Sequence, residues 1–223
     1  MQKKKRSQSL IRTILSILLI MVLVVTIIPP VQSEASAKTK ALTQYKARLS
    51  QKRIRVLPQG VKATYDYYYY QTYYSSPSSR VKFCIAYVDG DSIPDLILQD
   101  PLWGYGVWTY IGKSFRCLKW SDCYCSPVGY YKKKGIFRED ESTEGTPYYR
   151  NYYKVKTGTK PKEIQHIDCD DMHTPETIGF YVGKKKVSSS AFYKSLKKYV
   201  GKTKMTLLSM HWDTWANRKK YVK

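Results

Sequence analysis

The sequence predicts an α+β protein, an antiparallel β-meander sheet with short helices near each end packing on one face. Three observations predict it. Apolar residues recur at helical spacing in two short stretches, one starting at Ala41 and one at Phe192. Between them, from Val81 onward, short apolar runs are punctuated by turn residues, as antiparallel strands are. Three of those runs are rich in aromatics and end at a glycine with lysine nearby, and glycine supplies the positive φ that tight hairpins demand.

Residues 1–37 read as an export signal. A basic head (Lys3, Lys4, Lys5, Arg6, Arg12) precedes an uncharged apolar run from Ile14 to Ile28, then Pro29-Pro30 and the small triplet Ala35-Ser36-Ala37, after which cleavage is expected. The run is short against the about 20 apolar residues that a membrane span needs. The alternative is an uncleaved anchor, since Thr13 through Ser33 carry no charge. Residues 38–80 read as a helix followed by a Tyr-rich linker. Ala41, Leu42, Tyr45 and Leu49 share one helical face, Pro58-Gln59-Gly60 closes the segment, and Tyr65, Tyr67 to Tyr70, Tyr73 and Tyr74 lead into Ser75-Ser76-Pro77-Ser78-Ser79.

Residues 81–223 read as one β-rich α+β domain. Val81 to Val88 and Leu96 to Leu98 are strands around an acidic turn. Val107 to Lys113, Tyr152 to Gly158 and Phe180 to Lys184 each carry a strand into a glycine turn. Ser188 to Ser190 cap a helix with Phe192, Leu196, Tyr199 and Val200 on one face, and Gly201 stops it. Met205 to Met210 reads as a last strand, and Asp213 as the cap of a final turn or two carrying Trp215 and Tyr221.

The 223 residues carry a formal net charge of +22. Removing residues 1–37, with their five Lys/Arg and Glu34, leaves 186 residues with 34 basic and 16 acidic groups, a formal +18. Such a charge favours polyanions and speeds encounter with them in a salt-dependent way. Outside a cell those are anionic wall polymers, glycans and lipid head groups, with nucleic acid a poorer candidate; membrane contact is expected only through an uncleaved N-terminal segment. Lys132-Lys133-Lys134 and Lys184-Lys185-Lys186 look like tips of tight turns, and would form a patch if they lie on one side of the sheet. Arg218-Lys219-Lys220 is a third run.

Five cysteines (Cys84, Cys117, Cys123, Cys125, Cys169) in an exported chain point to disulfides with one thiol left over. Cys123 and Cys125 share a strand face and make poor partners, so Cys117 with Cys123 or Cys125 is the cheapest bridge. The competing reading is five buried, unbridged thiols.

Val88-Asp89-Gly90-Asp91-Ser92-Ile93-Pro94-Asp95 is the most pointed local signal. Alternating Asp residues on a tight loop present hard oxygen ligands, which Ca²⁺ selects, and Asp89, Asp91 and Asp95 are the candidate ligands. Both registers of the D-x-[DN]-x-[DN]-G pattern are broken, and an acidic β-turn whose Asp side chains bond their own backbone is the preferred reading. With the leader, the short helix, the Gly-Lys hairpins and the terminal Asn217 to Lys220, this motif resembles a group of uncharacterised exported proteins of Clostridia-type bacteria. Members usually carry an acidic residue at position 87, Gly at 92 and Glu at 95; Tyr87, Ser92 and Asp95 depart from that, which weakens the case for metal. The resemblance implies export and a single domain, and no activity.

His166, Cys169 and His173, with Asp168, Asp170 and Asp171 between, hold zinc-ligand types, but Thr174-Pro175 favours a polar surface loop. Glu139, Asp140, Glu141 and Glu144 are candidate glycosidase carboxylates, read more simply as solvating one polar turn. No G-x-S-x-G, H-E-x-x-H or phosphate-binding glycine loop occurs. The expectation is a secreted, non-enzymatic cationic protein at the extracellular face of a Gram-positive-type cell, binding an anionic or glycan partner. The alternative is a wall- or glycan-directed hydrolase whose site is assembled only in the fold.

Overall fold

A computed structural model describes residues 34–59, 75–122, 124–143, 146–169 and 178–223. The apolar leader and Tyr65 to Tyr74 lie outside the described residues. Helix α1 (Glu34–Leu49) fully buries Ala41, Leu42, Tyr45 and Leu49, the four residues its spacing selects. It begins before position 38, so Ala35-Ser36-Ala37 sits in its first turn. Full burial starts only at Ala41, and the packed face lies wholly beyond the expected cleavage point.

Strands β1 (Arg53–Arg55) and β2 (Ser75–Pro77) form a small pair. Next come β3 (Lys82–Ala86), β4 (Asp95–Asp100), β5 (Gly104–Ile111) and β6 (Ser114–Ser121). With the late strand β14 (His211–Trp212) they make a five-stranded sheet in the order β14-β3-β4-β5-β6. A meander follows: β7 (Cys125–Tyr131), β8 (Ile136–Thr143), β9 (Thr146–Lys154), β10 (Lys162–Cys169), β11 (Ile178–Val182) and β12 (Lys185–Val187). With β13 (Met205–Leu207) it makes a seven-stranded sheet in the order β12-β11-β10-β9-β8-β7-β13. All pairings are antiparallel. Helix α2 (Ser189–Val200) precedes β13, and α3 (Trp215–Tyr221) ends the chain.

The α+β class holds, with the expected single sheet divided in two. Three apolar clusters define four layers. The first joins α1 (Tyr45, Leu49) to Phe83, Leu96, Leu98 and Trp108 on one face of the five-stranded sheet. The second fills the space between the sheets with Cys84, Ile97, Tyr105, Val107, Leu118 and Phe137. The third joins Ile136, Tyr152 and Ile167 to Phe192, Leu196 and Val200 of α2. Neighbouring strand residues therefore alternate between clusters: Phe83 and Cys84, Val107 and Trp108, Ile136 and Phe137. A sheet buried on both faces reads as a continuous apolar run, so the sequence pattern does not reveal the second layer. Each fully buried Leu, Ile or Phe contributes about 1.5–3 kcal/mol.

Glycines of the three expected hairpins adopt positive φ: 66° at Gly112, 80° at Gly158 and 58° at Gly183. Ser188 caps α2, its hydroxyl accepting from Ala191 N at 3.2 Å, and Gly201 ends the helix. Two expectations near the C-terminus are corrected. Met205 to Met210 is not one strand, because the chain leaves the seven-stranded sheet after Leu207 and joins the other as β14. Thr214, not Asp213, caps α3 through Asn217 N at 3.2 Å. Asp213 instead donates its N–H to Val81 O at 2.9 Å and is buried. Tyr199, placed on the apolar face of α2 by spacing, is exposed. Among the described residues no helix is long and apolar enough to cross a membrane.

Candidate functional site

Strand parity turns Glu139 inward. Phe137 faces the inter-sheet layer, so Glu139, two residues on along β8, faces it too and is 1% exposed. Its partner comes from the facing sheet. A bulge in β6 leaves Leu118 unpaired between Cys117, opposite Trp108, and Lys119, opposite Val107. Leu118 and Lys119 are consequently both buried, as a bulge permits by re-aiming a side chain. Lys119 Nζ lies 3.0 Å from Glu139 Oε2 and donates to Trp120 O at 2.8 Å. The Tyr105 hydroxyl donates to the same Glu139 oxygen. Burial, then the charge of Glu139, raises the pKa of both Tyr105 and Tyr153, so both phenols stay protonated as donors. The Lys119 ammonium sits over the Tyr153 ring at 4.5 Å.

Lys119 and Tyr153 also line a cleft of about 650 Å³ between β6 and the β9–β10 turn, together with Arg116, Trp120, Pro58 and Gly158 to Pro161. Arg116 and Lys160 are exposed, and Trp120 is 39% exposed.

The second feature follows from topology. In an antiparallel meander alternate turns fall at one end, so the β7–β8, β9–β10 and β11–β12 turns share an end of the seven-stranded sheet. Lys132 and Lys133 occupy the first turn, Lys156 and Lys160 the second, and Lys184 the third, all exposed. Lys202 and Lys204 reach the same end, since Met205 pairs with Tyr131. The outer two of those turns lie four strand spacings apart, about 19 Å. The tips of the two lysine runs therefore share one end of the sheet with Lys156 and Lys160, and the Asp89 turn packs against the same end through Thr157 and Gly135. Arg218, Lys219 and Lys220 lie elsewhere, on α3.

The expected site residues fall as follows. Asp89 Oδ1 accepts from Asp91 N at 3.1 Å, Asp91 Oδ1 from Ile93 N at 2.8 Å, and Asp95 Oδ2 from Val88 N at 2.7 Å. The Thr157 hydroxyl also donates to Asp89. These are the turn bonds that acidic β-turns make. Burial, then the charge of Asp89, raises the Asp95 pKa well above its ordinary value. Among the described residues no three His, Cys, Asp or Glu side chains group as metal donors. A calcium role for Asp89, Asp91 and Asp95 thus gains no support from the geometry. His166 and Asp168 lie on β10 and not on a loop, because residues 165–168 pair with both β9 and β11. The His166 ring stacks on Tyr181 at 4.5 Å, with Nδ1 2.9 Å from Glu163. Asp170, Asp171 and His173 lie outside the described residues.

Glu139, Asp140 and Glu141 are strand residues rather than a solvated turn, since β8 pairs on both sides; Glu144 lies outside the described residues. Asp140 binds Arg138 at 2.5 Å on the opposite face from Glu139. The bridge between Cys117 and Cys125 does not form: both are free thiols, Cys117 packed against the first cluster and Cys125 within the second, on opposite faces of the five-stranded sheet. Cys123 lies outside the described residues. Cys84 and His211 line one groove of about 310 Å³. Burial pushes the Cys84 thiol up to about 12, and His211 stacks on Tyr221 at 3.6 Å, so the thiol is not activated.

The sequence reading missed Lys119, Tyr105 and Tyr153. The parity of Phe137 with Glu139 was the available signal; the bulge that turns Lys119 inward has none. Comparison with models of protein families, with curated proteins and with solved structures finds no match.

Proposed function

We propose that the chain is an exported, non-enzymatic protein of the cell surface that binds a linear anionic wall polymer or glycan across the lysine-bearing end of its seven-stranded sheet. The observation that carries this reading is the common end shared by the three lysine turns. Neighbouring turns there stand about 10 Å apart, two strand spacings. That is close to the Debye length of about 8–10 Å at physiological salt, so the cations act together on a polymer laid along the row and are screened as salt rises. Secretion through the basic, apolar leader would place this end among extracellular polyanions.

A hydrolase reading draws less support. Glu139 is enclosed by Lys119 and Tyr105, and the Cys84 thiol is held protonated, so neither offers a free base or nucleophile. The test is retention of the purified exported protein on isolated cell walls across a salt series. Retention at low salt that weakens steadily as salt rises is expected. Absent retention, or retention indifferent to salt, would remove the polyanion reading.

A further inference from the structure

We propose that the cleft between β6 and the β9–β10 turn seats one anionic sugar unit, a hexose bearing a carboxylate or a phosphate. This rests on the polyanion reading and gives it a specificity pocket. The cleft's volume of about 650 Å³ suits a small ligand. Trp120 and Tyr153 line it, and the exposed Trp120 ring offers an aromatic face to the C–H face of a sugar. Arg116 presents a planar fork matched to a carboxylate or phosphate, and Lys160 adds a second cation from the opposite wall.

The buried pair explains why an anion is tolerated at the inner wall. Glu139 is held by the cleft-lining Lys119 at 3.0 Å and by the Tyr105 hydroxyl, so its charge is compensated. Lys119 uses two of its three N–H donors on Glu139 and on Trp120 O, which fixes the backbone that carries Trp120 and leaves one donor beside the cleft. Continuity supplies the last step. Lys160 belongs to the cleft and to the basic end alike, so a polymer lying along the lysine turns passes the cleft mouth at the β9–β10 turn.

The experiment is calorimetric titration of the full exported protein with digalacturonate, with glucose 1-phosphate and with neutral cellobiose. Both charged probes are expected to bind more tightly than cellobiose; whichever binds tighter identifies carboxylate or phosphate as the source. Trp120→Ala should weaken the charged probes about tenfold or more, a loss of about 1.4 kcal/mol, while Trp120→Phe should keep most of the affinity. Arg116→Gln should abolish the preference over cellobiose. Unchanged melting temperatures show that these exposed positions leave the fold intact. Equal affinity for cellobiose, or wild-type affinity in Trp120→Ala, overturns the proposal. Wall retention without probe binding sinks the cleft alone; probe binding without wall retention sinks the polymer reading alone.

Discussion

At the scale of single residues, the Lys119–Glu139 pair places two opposite charges out of water. Both groups lie between two sheets, where removing charge from water is expensive unless the partner and further hydrogen bonds are present. Here they are: Trp120 O, the Tyr105 hydroxyl and the Tyr153 ring complete the shell. Lys119→Met strips the cation and leaves a buried carboxylate, which should cost about 3–5 kcal/mol. Adding Glu139→Gln to that variant removes the stranded charge and should recover much of the loss, because paired buried ions contribute little net stability. Urea denaturation of the wild type, both single variants and the double variant measures the coupling. A Lys119→Met cost under about 1 kcal/mol, the range of exposed pairs, would show that the pair is open to water.

At the scale of elements, α3 is docked through a titrating contact. Asp213 follows β14 with its carboxyl fully buried, 3.5 Å from the Arg218 guanidinium one turn into α3. Burial pushes this carboxyl up to about 6, against the opposing pull of Arg218. A folded pKa above the unfolded value means that stability is fully present below about pH 4 and is lost as pH rises through about 6. Wild type should therefore lose melting temperature relative to Asp213→Asn between those limits. Asp95, also raised, is common to both chains and cancels in the difference. A flat or rising difference curve would refute the assignment. How much of this was legible varies by element. The hairpin glycines and the faces of α1 and α2 were, because positive φ and helical periodicity are local properties. The split of Met205 to Met210 was not, since which sheet accepts a strand is decided by edges formed earlier in the chain. The pairing of Lys119 with Glu139, itself a candidate carboxylate, was not legible for the same reason: the two meet across sheets, in a register set by one bulged residue.

At the scale of the whole molecule, net charge and charge placement make different predictions. A formal +22 spread evenly would bind any polyanion in proportion to the lysines present, whichever were removed. The antiparallel meander instead gathers Lys132, Lys156 and Lys184 at one end, where they outnumber the carboxylates of the Asp89 turn packed beside them. Two triple variants of equal charge separate the cases. Lys132→Gln with Lys156→Gln and Lys184→Gln neutralises the shared end; Lys46→Gln with Lys52→Gln and Lys113→Gln neutralises exposed lysines of α1, the segment after it and the β5–β6 turn. If placement governs, the first should leave isolated walls at clearly lower salt than the second, which should elute close to wild type. Cations in a row along one sheet end sum their potentials on a single polymer strand, whereas cations on other elements are screened beyond about one Debye length. Equal shifts for the two variants would mean that the protein is held by bulk charge and that the sheet end has no special part in binding.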